Sequence, residues 1–380
     1  MKPIVILADS HLGKFWKNNN SVFSRAKKLI DYFILNLENI AKQFDVKPDL
    51  IIAGDIYDSI HANIEMLVYI KSKLNHVFDL YDDIYVIAGN HETFIDKNGN
   101  QQSLLYIALD TSRFHLYTSG IATKIINDIN FIFVPHQTEM ESLFDNQINN
   151  YIDSNRKNII VTHTTPKEIF SRCKYSMNDY IDKWGNNVDY ILLGHYHKPC
   201  EYKHKNTKVI SIGSMYYLTI DDIKDNDNKR YLILDSDNKI IKKDLILPKV
   251  YTYTVKNQNE FDEKVVKNIK QQNLSSDDII YIRSKSIIDY SILVFEGYDV
   301  YFDAIENTNE SIITLKESIS GDVNISNGKS LNDRWNQYVN LLSEDSLSQN
   351  EIDTLNWLFI NRNNLNISLD DLFQKLGNVV

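Results

Sequence analysis

Apolar residues along this chain fall into two arrangements, which alternate over its first two thirds. One is the short unbroken run, at residues 4–7 (IVIL), 50–53 (LIIA), 84–88 (IYVIA), 131–134 (FIFV), 158–161 (NIIV), 190–193 (YILL), 209–212 (VISI) and 231–234 (YLIL). The other is a stripe at helical spacing. Phe23, Ala26, Ile30, Phe33, Leu37, Ile40 and Phe44 predict a helix over 21–44, and Ile64, Leu67, Val68, Lys71, Leu74 and Phe78 predict a second. A third is expected near 102–111. Runs with no polar alternation belong to strands covered on both faces, and strands joined by helices make an α/β sheet.

The pattern changes after Pro248. Residues 249–326 read as short strands with a helix, a small α+β unit, and the polar stretch 221–230 (DDIKDNDNKR) reads as a turn or hairpin tip. Asn327-Gly-Lys-Ser is a candidate linker. Beyond it, Leu331, Trp335, Tyr338 and Leu341 mark one helical stripe, Ile352, Leu355 and Leu358 another, and 369–376 a possible third. The predicted organisation is a main domain over 1–248, a cap over 249–326 and C-terminal helices over 327–380.

Charge changes this picture only once it is located. The net charge of −10 over 380 residues argues against a polyanionic partner. From Val250 onward the balance is −9, however, leaving the first 249 residues at −1. No apolar run approaches the roughly 18 residues that span a bilayer. The start of the chain, MKPIVILADSH, lacks the apolar stretch and cleavage site of a signal peptide. Two cysteines without CxxC spacing fit a reducing compartment. A cytoplasmic protein, of a bacterium or a phage-infected cell, is expected.

The candidate chemistry sits where the runs end. Five of them stop in a metal-binding side chain: Asp9 and His11 in DSH (9–11), Asp55 and Asp58 in GDIYD (54–58), Asn90 and His91 in GNHE (89–92), His163 in THT (162–164), and His195 and His197 in GHYH (194–197). In a parallel α/β sheet the carboxyl ends of the strands share one rim, where ligands bind. Oxygen and imidazole donors suit manganese, iron or zinc, and magnesium less well. If Asp55 bridges, the seven residues Asp9, His11, Asp55, Asn90, His163, His195 and His197 give each of two ions four ligands. Two ions about 3.5–4 Å apart stabilise the attacking and leaving oxygens of phosphoryl transfer. Their positive charge would make an acidic protein compatible with a phosphate substrate.

Taken in order, D-x-H, G-D-x-x-D, G-N-H-E, a lone His and G-H-x-H resemble the calcineurin-like metallophosphoesterase superfamily over roughly residues 1–240. DSHLG (9–13), GDIYDS (54–59) and the segment 212–219 (IGSMYYLT) with 229–234 (KRYLIL) are similar to the nuclease subunits of the SbcCD and meiotic-recombination-eleven type, those of phages most of all. The resemblance implies an αββα two-sheet sandwich with a small capping region and a C-terminal helical segment. It implies two divalent ions, manganese foremost with magnesium, iron or zinc as alternatives. Asp9, His11, Asp55 and His197 would hold one ion, and Asp55, Asn90, His163 and His195 the other. His91 would face the scissile phosphate as a catalytic residue. Asp58, where some relatives carry a second active-site histidine, is the other catalytic candidate.

The resemblance further implies action on DNA, at duplex ends or on single strands, and a homodimer through helices near 60–78 and 102–112. It also implies a coiled-coil ABC-type ATPase held by the C-terminal helices, and no membrane partner. Such an enzyme would serve recombination, repair or end processing. The alternatives are a protein phosphatase or small-molecule phosphodiesterase of the same superfamily, and a scaffold without activity. Ala88 stands where phosphoprotein phosphatases carry an arginine, and the intact ligand set speaks against a scaffold. Glu92 departs from the more usual Asp. His61, His76, His115, His136 and His204 fit no motif and are read as ordinary surface or core residues. Lys198, Lys203, Lys205 and Lys208 form a basic cluster suited to phosphates or to solvent.

Overall fold

A computed structural model describes residues 2–304 apart from 15–21, 60–63, 98–99, 106–113, 138–139, 186, 226–227, 273, 276, 285, 287, 291–292 and 294–297. The expected C-terminal helices at 327–380, His61 and most of the expected helix at 102–111 lie outside the described residues.

The apolar runs form strands divided between two six-stranded sheets. Strands β1 (Ile4–Leu7), β2 (Asp49–Ala53) and β3 (Ile84–Ile87) alternate with helices α1 (Val22–Ala41) and α2 (Ile64–Phe78). After the hairpin of β4 (Thr93–Ile95) and β5 (Gln101–Ser103) comes β6 (Phe114–Tyr117). The second sheet uses β7 (Ala122–Ile126), β8 (Ile129–Val134), β9 (Lys157–His163), β10 (Tyr190–Gly194), β11 (Cys200–His204) and β12 (Thr207–Ser211), with helices α3 (Met140–Asn146) and α4 (Met177–Trp184). The chain then returns through helix α5 (Ile220–Asp225) to the first sheet with β13 (Arg230–Leu234) and β14 (Ile240–Asp244). The strand orders are β14-β13-β1-β2-β3-β6 and β11-β12-β10-β9-β8-β7. In each sheet four neighbouring strands are parallel (β1-β2-β3-β6 and β12-β10-β9-β8), and antiparallel strands complete the edges.

Side-chain alternation explains why the strands lack polar positions. Ile4, Ile6, Ile51, Ala53, Ile159 and Val161 point between the sheets into one shared core. Their neighbours Val5, Leu7, Leu50 and Ile52 face outward under α1 and α2, while Ile160, Ile191 and Leu193 face outward under α3 and α4. Each residue of such a strand is therefore buried on one side or the other. The predicted α1 stripe seals the outer core over the first sheet: Ala26, Ile30, Phe33, Leu37 and Ile40 are all buried. Burying side chains of this kind contributes roughly 1.5–3 kcal/mol for each large one. Sandwich and α/β class are thus as the sequence predicts.

Two local details differ. Gln101–Ser103 pairs with Thr93–Ile95, so the helix expected near 102–111 begins only at Leu105. The supposed turn after Thr219 begins as a short helix, because the Asp222 carboxylate accepts the N–H groups of Leu218 (3.0 Å) and Thr219 (2.8 Å) at its start. Beyond Pro248, β15 (Val250–Val255), β16 (Ile279–Ser284) and β17 (Asp299–Ala304) form a parallel sheet. Its crossover is helical: Gln258–Phe261, a π-helical turn over Asp262–Val266, then Lys267–Gln272. One face of this sheet has its own core, while Ile279, Tyr281 and Tyr301 join the core beneath α1 and α2.

Candidate metal centre

Three loops leave the first sheet at the carboxyl ends of β1, β2 and β3, and main-chain bonds lace the first two together. Asp9 N–H donates to the Gly54 carbonyl (3.1 Å), His11 N–H to Asp55 (2.9 Å) and Leu12 N–H to Ile56 (2.7 Å). Following one another so closely forces left-handed backbone on side-chain-bearing residues, with φ of 53° at Asp9, 45° at His11 and 51° at Asp55. Each such residue costs about 1–2 kcal/mol and persists where its surroundings over-determine it. Gly54 takes φ +90°, and a Cβ there would lie 2.2 Å from His163 Nδ1.

The second sheet brings in the remaining donors. His163 Nδ1 donates to the Ala53 carbonyl at 2.8 Å. That fixes its Nε2 toward the centre, 3.1 Å from Asp55 Oδ2 and 3.1 Å from Asn90 Oδ1. His195 N–H donates to both Asp9 carboxylate oxygens at 3.0 Å. His197 Nε2 lies 3.2 Å from His11 Nε2, which is itself 3.5 Å from Asp55 Oδ2. Asp9, His11 and His197 each offer a donor atom within 4.8 Å of the others, and so do Asp55, His163 and His195. Asp55 touches both groups and Asn90 completes the second, so all seven sequence candidates converge.

The two catalytic candidates stand on the His11 side. Asp58 Oδ1 lies 2.9 Å from His11 Nδ1 and accepts Lys14 Nζ at 3.0 Å. It therefore backs a candidate ligand, in the carboxylate–histidine arrangement that orients imidazoles toward metals. His91 Nδ1 donates to the Asp58 carbonyl at 2.6 Å, and its main-chain N–H donates to Asp55 Oδ1 at 3.0 Å. Its side chain is 37 % exposed, enough to meet a ligand from solvent.

Glu92 is wholly buried and accepts the Tyr57 N–H (2.9 Å) and the Gly89 N–H (3.0 Å), tying the second loop to the third. His136, which fits no motif, also lies here. Its ring centroid lies 6.3 Å from those of both His163 and His195. Among the described residues its Nδ1 is buried without a hydrogen-bond partner. The signal was present, since Pro135-His136 ends the run 131–134 just as the other donors end theirs. His115 and His204 instead face Asp83 and Asp182 at 3.0 and 2.8 Å. Of the basic cluster, Lys205 pairs with Asp182 and Lys208 with Glu201.

The electrostatics of these groups call for cations. Burial, reinforced by Asp55 and Glu92, pushes Asp9 up to about 8, and burial beside Asp55 pushes Glu92 up to about 7. Burial would depress His163, yet the Asp55 carboxylate lifts it to about 10. Burial and His163 hold His195 down at about 4, and burial and His11 hold His197 at about 3. Buried carboxylates that must borrow a proton or an imidazolium, beside imidazoles kept neutral, form a donor set that divalent ions satisfy with release of protons. The residues present therefore fit a metal pair.

The sequence over residues 2–199 matches the calcineurin-like phosphoesterases. The chain belongs to that family. Its members hydrolyse phosphoesters and bind two divalent metal ions, so this chain is a metal-binding hydrolase of phosphoesters. No curated protein matches the sequence significantly. Similar solved structures include a phosphopantetheinyl hydrolase (PptH) of Mycobacterium tuberculosis, 12% identical over 57% of this chain and 90% of that one, with a TM-score of 0.33. An archaeal phosphodiesterase is 15% identical over 64% of this chain and 99% of its own, with a TM-score of 0.33. A dimetal phosphatase of Danio rerio is 11% identical over 64% and 96%, with a TM-score of 0.42. Such distant likenesses add nothing to what the family match establishes. Among the described residues no helix is long and apolar enough to cross a membrane.

Proposed function

We propose that this phosphoesterase is a two-metal DNA nuclease of the SbcCD and meiotic-recombination-eleven type. The observation that carries the phosphodiesterase chemistry is the convergence of seven donor side chains from both sheets beside the half-exposed His91. Asp9, His11, Asp55 and His197 hold one ion, and Asp55, Asn90, His163 and His195 the other, manganese foremost. Such a pair, when bound, neutralises phosphate charge and lowers the pKa of a coordinated water. With His91 Nδ1 committed to the Asp58 carbonyl, its Nε2 is the atom that meets the scissile phosphate or hands a proton to the leaving oxygen. Asp58 acts behind His11.

The choice of DNA rests on the resemblance of residues 9–13, 54–59, 212–219 and 229–234. An open site agrees with it: a cleft of about 740 Å³ runs from His195 past His136, Thr164, Lys174 and Tyr175. The same resemblance supports a homodimer and a coiled-coil ATPase partner bound by residues 327–380. Because the acidity lies beyond Val250, attraction for DNA falls to the ions and to the nearly neutral first 249 residues.

Degradation of linear duplex and single-stranded DNA in manganese tests the proposal, with and without a coiled-coil ABC-type ATPase. The expected result is manganese-dependent cleavage, lost in His91→Ala while two ions stay bound. Phosphate release from para-nitrophenyl phosphate without any DNA cleavage would overturn the DNA assignment in favour of a phosphatase.

A further inference from the structure

A buried ion pair lies behind the His197 side of the centre. Lys229 is 1% exposed and Asp222 2%. Lys229 Nζ meets Asp222 Oδ1 at 2.7 Å and donates to the His197 carbonyl at 2.9 Å. The other Asp222 oxygen accepts from Leu218 N–H, Thr219 N–H and Thr219 Oγ1 at 2.8–3.0 Å. Desolvating two such charges costs several kcal/mol for each ion, and well-packed apolar residues would fill the same space at least as favourably. Packing alone therefore does not explain the pair. Its third partner does, because the carbonyl belongs to a proposed ligand residue.

His197 needs that support more than His11 or His163. His11 is backed by Asp58 and His163 by the Ala53 carbonyl. The His197 ring meets His11 Nε2 at 3.2 Å and Asp9 Oδ1 at 4.0 Å, both on the metal side, so its aim depends on its main chain. The return segment grips that main chain. Ser214 N–H reaches the His197 carbonyl at 3.1 Å, and Ser211 Oγ reaches the carbonyls of Tyr196 (3.0 Å) and Lys198 (3.2 Å). Met215 N–H, from the same segment, holds the Asp9 carbonyl at 3.2 Å. Lys229 supplies the one charge-assisted bond in this bracket, the stronger kind.

We propose that Lys229 and Asp222 are positioning residues that hold the His195–His197 segment in register with the loops of the first sheet, and so set the affinity for the ion bound by His197. The proposal rests on the two-metal reading. Its test is manganese titration by calorimetry, with electron paramagnetic resonance of the coupled Mn2+ pair, on the full chain. Wild type, His197→Ala, Lys229→Met and Lys229→Met/Asp222→Asn are compared.

Lys229→Met leaves a buried carboxylate unpaired and should melt well below wild type. The double variant removes both charges and should recover much of that loss. It should nevertheless bind its second ion about 10–100-fold more weakly, the usual effect of losing support behind a ligand, and should lose the coupled signal as His197→Ala does. A folded double variant with two ions at wild-type affinity and an intact coupled signal overturns the proposal. One that fails to fold overturns it equally, since the pair would then serve the fold and not the aim of His197. A wild type that never takes up two ions refutes the two-metal reading itself.

Discussion

Adding one methyl group at Gly194 tests how tightly the two sheets converge on the centre. In Gly194→Ala the new Cβ would sit 2.0 Å from the Ala53 carbonyl oxygen and 2.7 Å from His163 Nδ1. Neither neighbour can step aside cheaply. They are hydrogen-bonded to each other, and Gly194 is fixed in register opposite His163. Overpacking of this kind costs about 1–3 kcal/mol, and a clash with backbone belongs at the upper end. At about 2–4 °C per kcal/mol for a domain of comparable size, the metal-free protein should melt about 6–12 °C lower. Because the methyl also displaces the carbonyl that orients His163, manganese affinity should fall about 10–100-fold. Gly120→Ala is the control. It places a side chain at φ +68° with nothing within 4 Å, so it should cost about 1–2 kcal/mol and leave manganese binding alone. Thermal melts and calorimetric titration decide the matter. If Gly194→Ala binds manganese like wild type, or melts no lower than Gly120→Ala, the account of sheet convergence is wrong.

Three further outcomes follow from other contacts. Asp58→Ala removes the carboxylate behind His11 and should weaken manganese binding about 10–100-fold; unchanged calorimetry would dismiss Asp58 as a support. Asn158, 1% exposed, accepts from Asn130 and from the Asp153 N–H and donates to three carbonyls. Asn158→Ala should therefore cost about 3 kcal/mol in denaturant unfolding through orphaned buried groups, with metal binding intact. Burial alone would raise the pKa of Asp222, but Lys229 brings it below its ordinary 3.8. A carboxylate depressed in the folded state stabilises fully above that value and loses its contribution as pH falls through the folded pKa. The stability advantage of wild type over Asp222→Asn should thus shrink below pH 3.8, and a constant gap in denaturant midpoints would refute it.

The donors were legible because each stands within a few residues of the strand that places it. Asp9 and His11, Asp55, Asn90 and His195 all follow an apolar run directly, so local pattern carries the information. The division of those runs between two sheets was not readable from periodicity, since a strand covered on both faces looks the same in either sheet. It came only with the family resemblance. Edge strands were hidden for the opposite reason: Ala122–Ile126 and Ile240–Asp244 turn mostly to solvent and show no apolar run. Glu92, Asp222 and Lys229 carry buried charge in polar stretches, and nothing in their neighbours' spacing distinguishes them from solvated residues. His136 follows its apolar run as the donors follow theirs, but no motif marks it.

The chain leaves the first sheet after Tyr117 and returns to it only at Arg230. A nick near Gly120 would therefore part Asp9, His11, Asp55 and Asn90 from His163, His195 and His197, leaving each fragment an incomplete set of donors. Cation uptake by the mixed fragments then reports reassembly of the sandwich, with no tag attached.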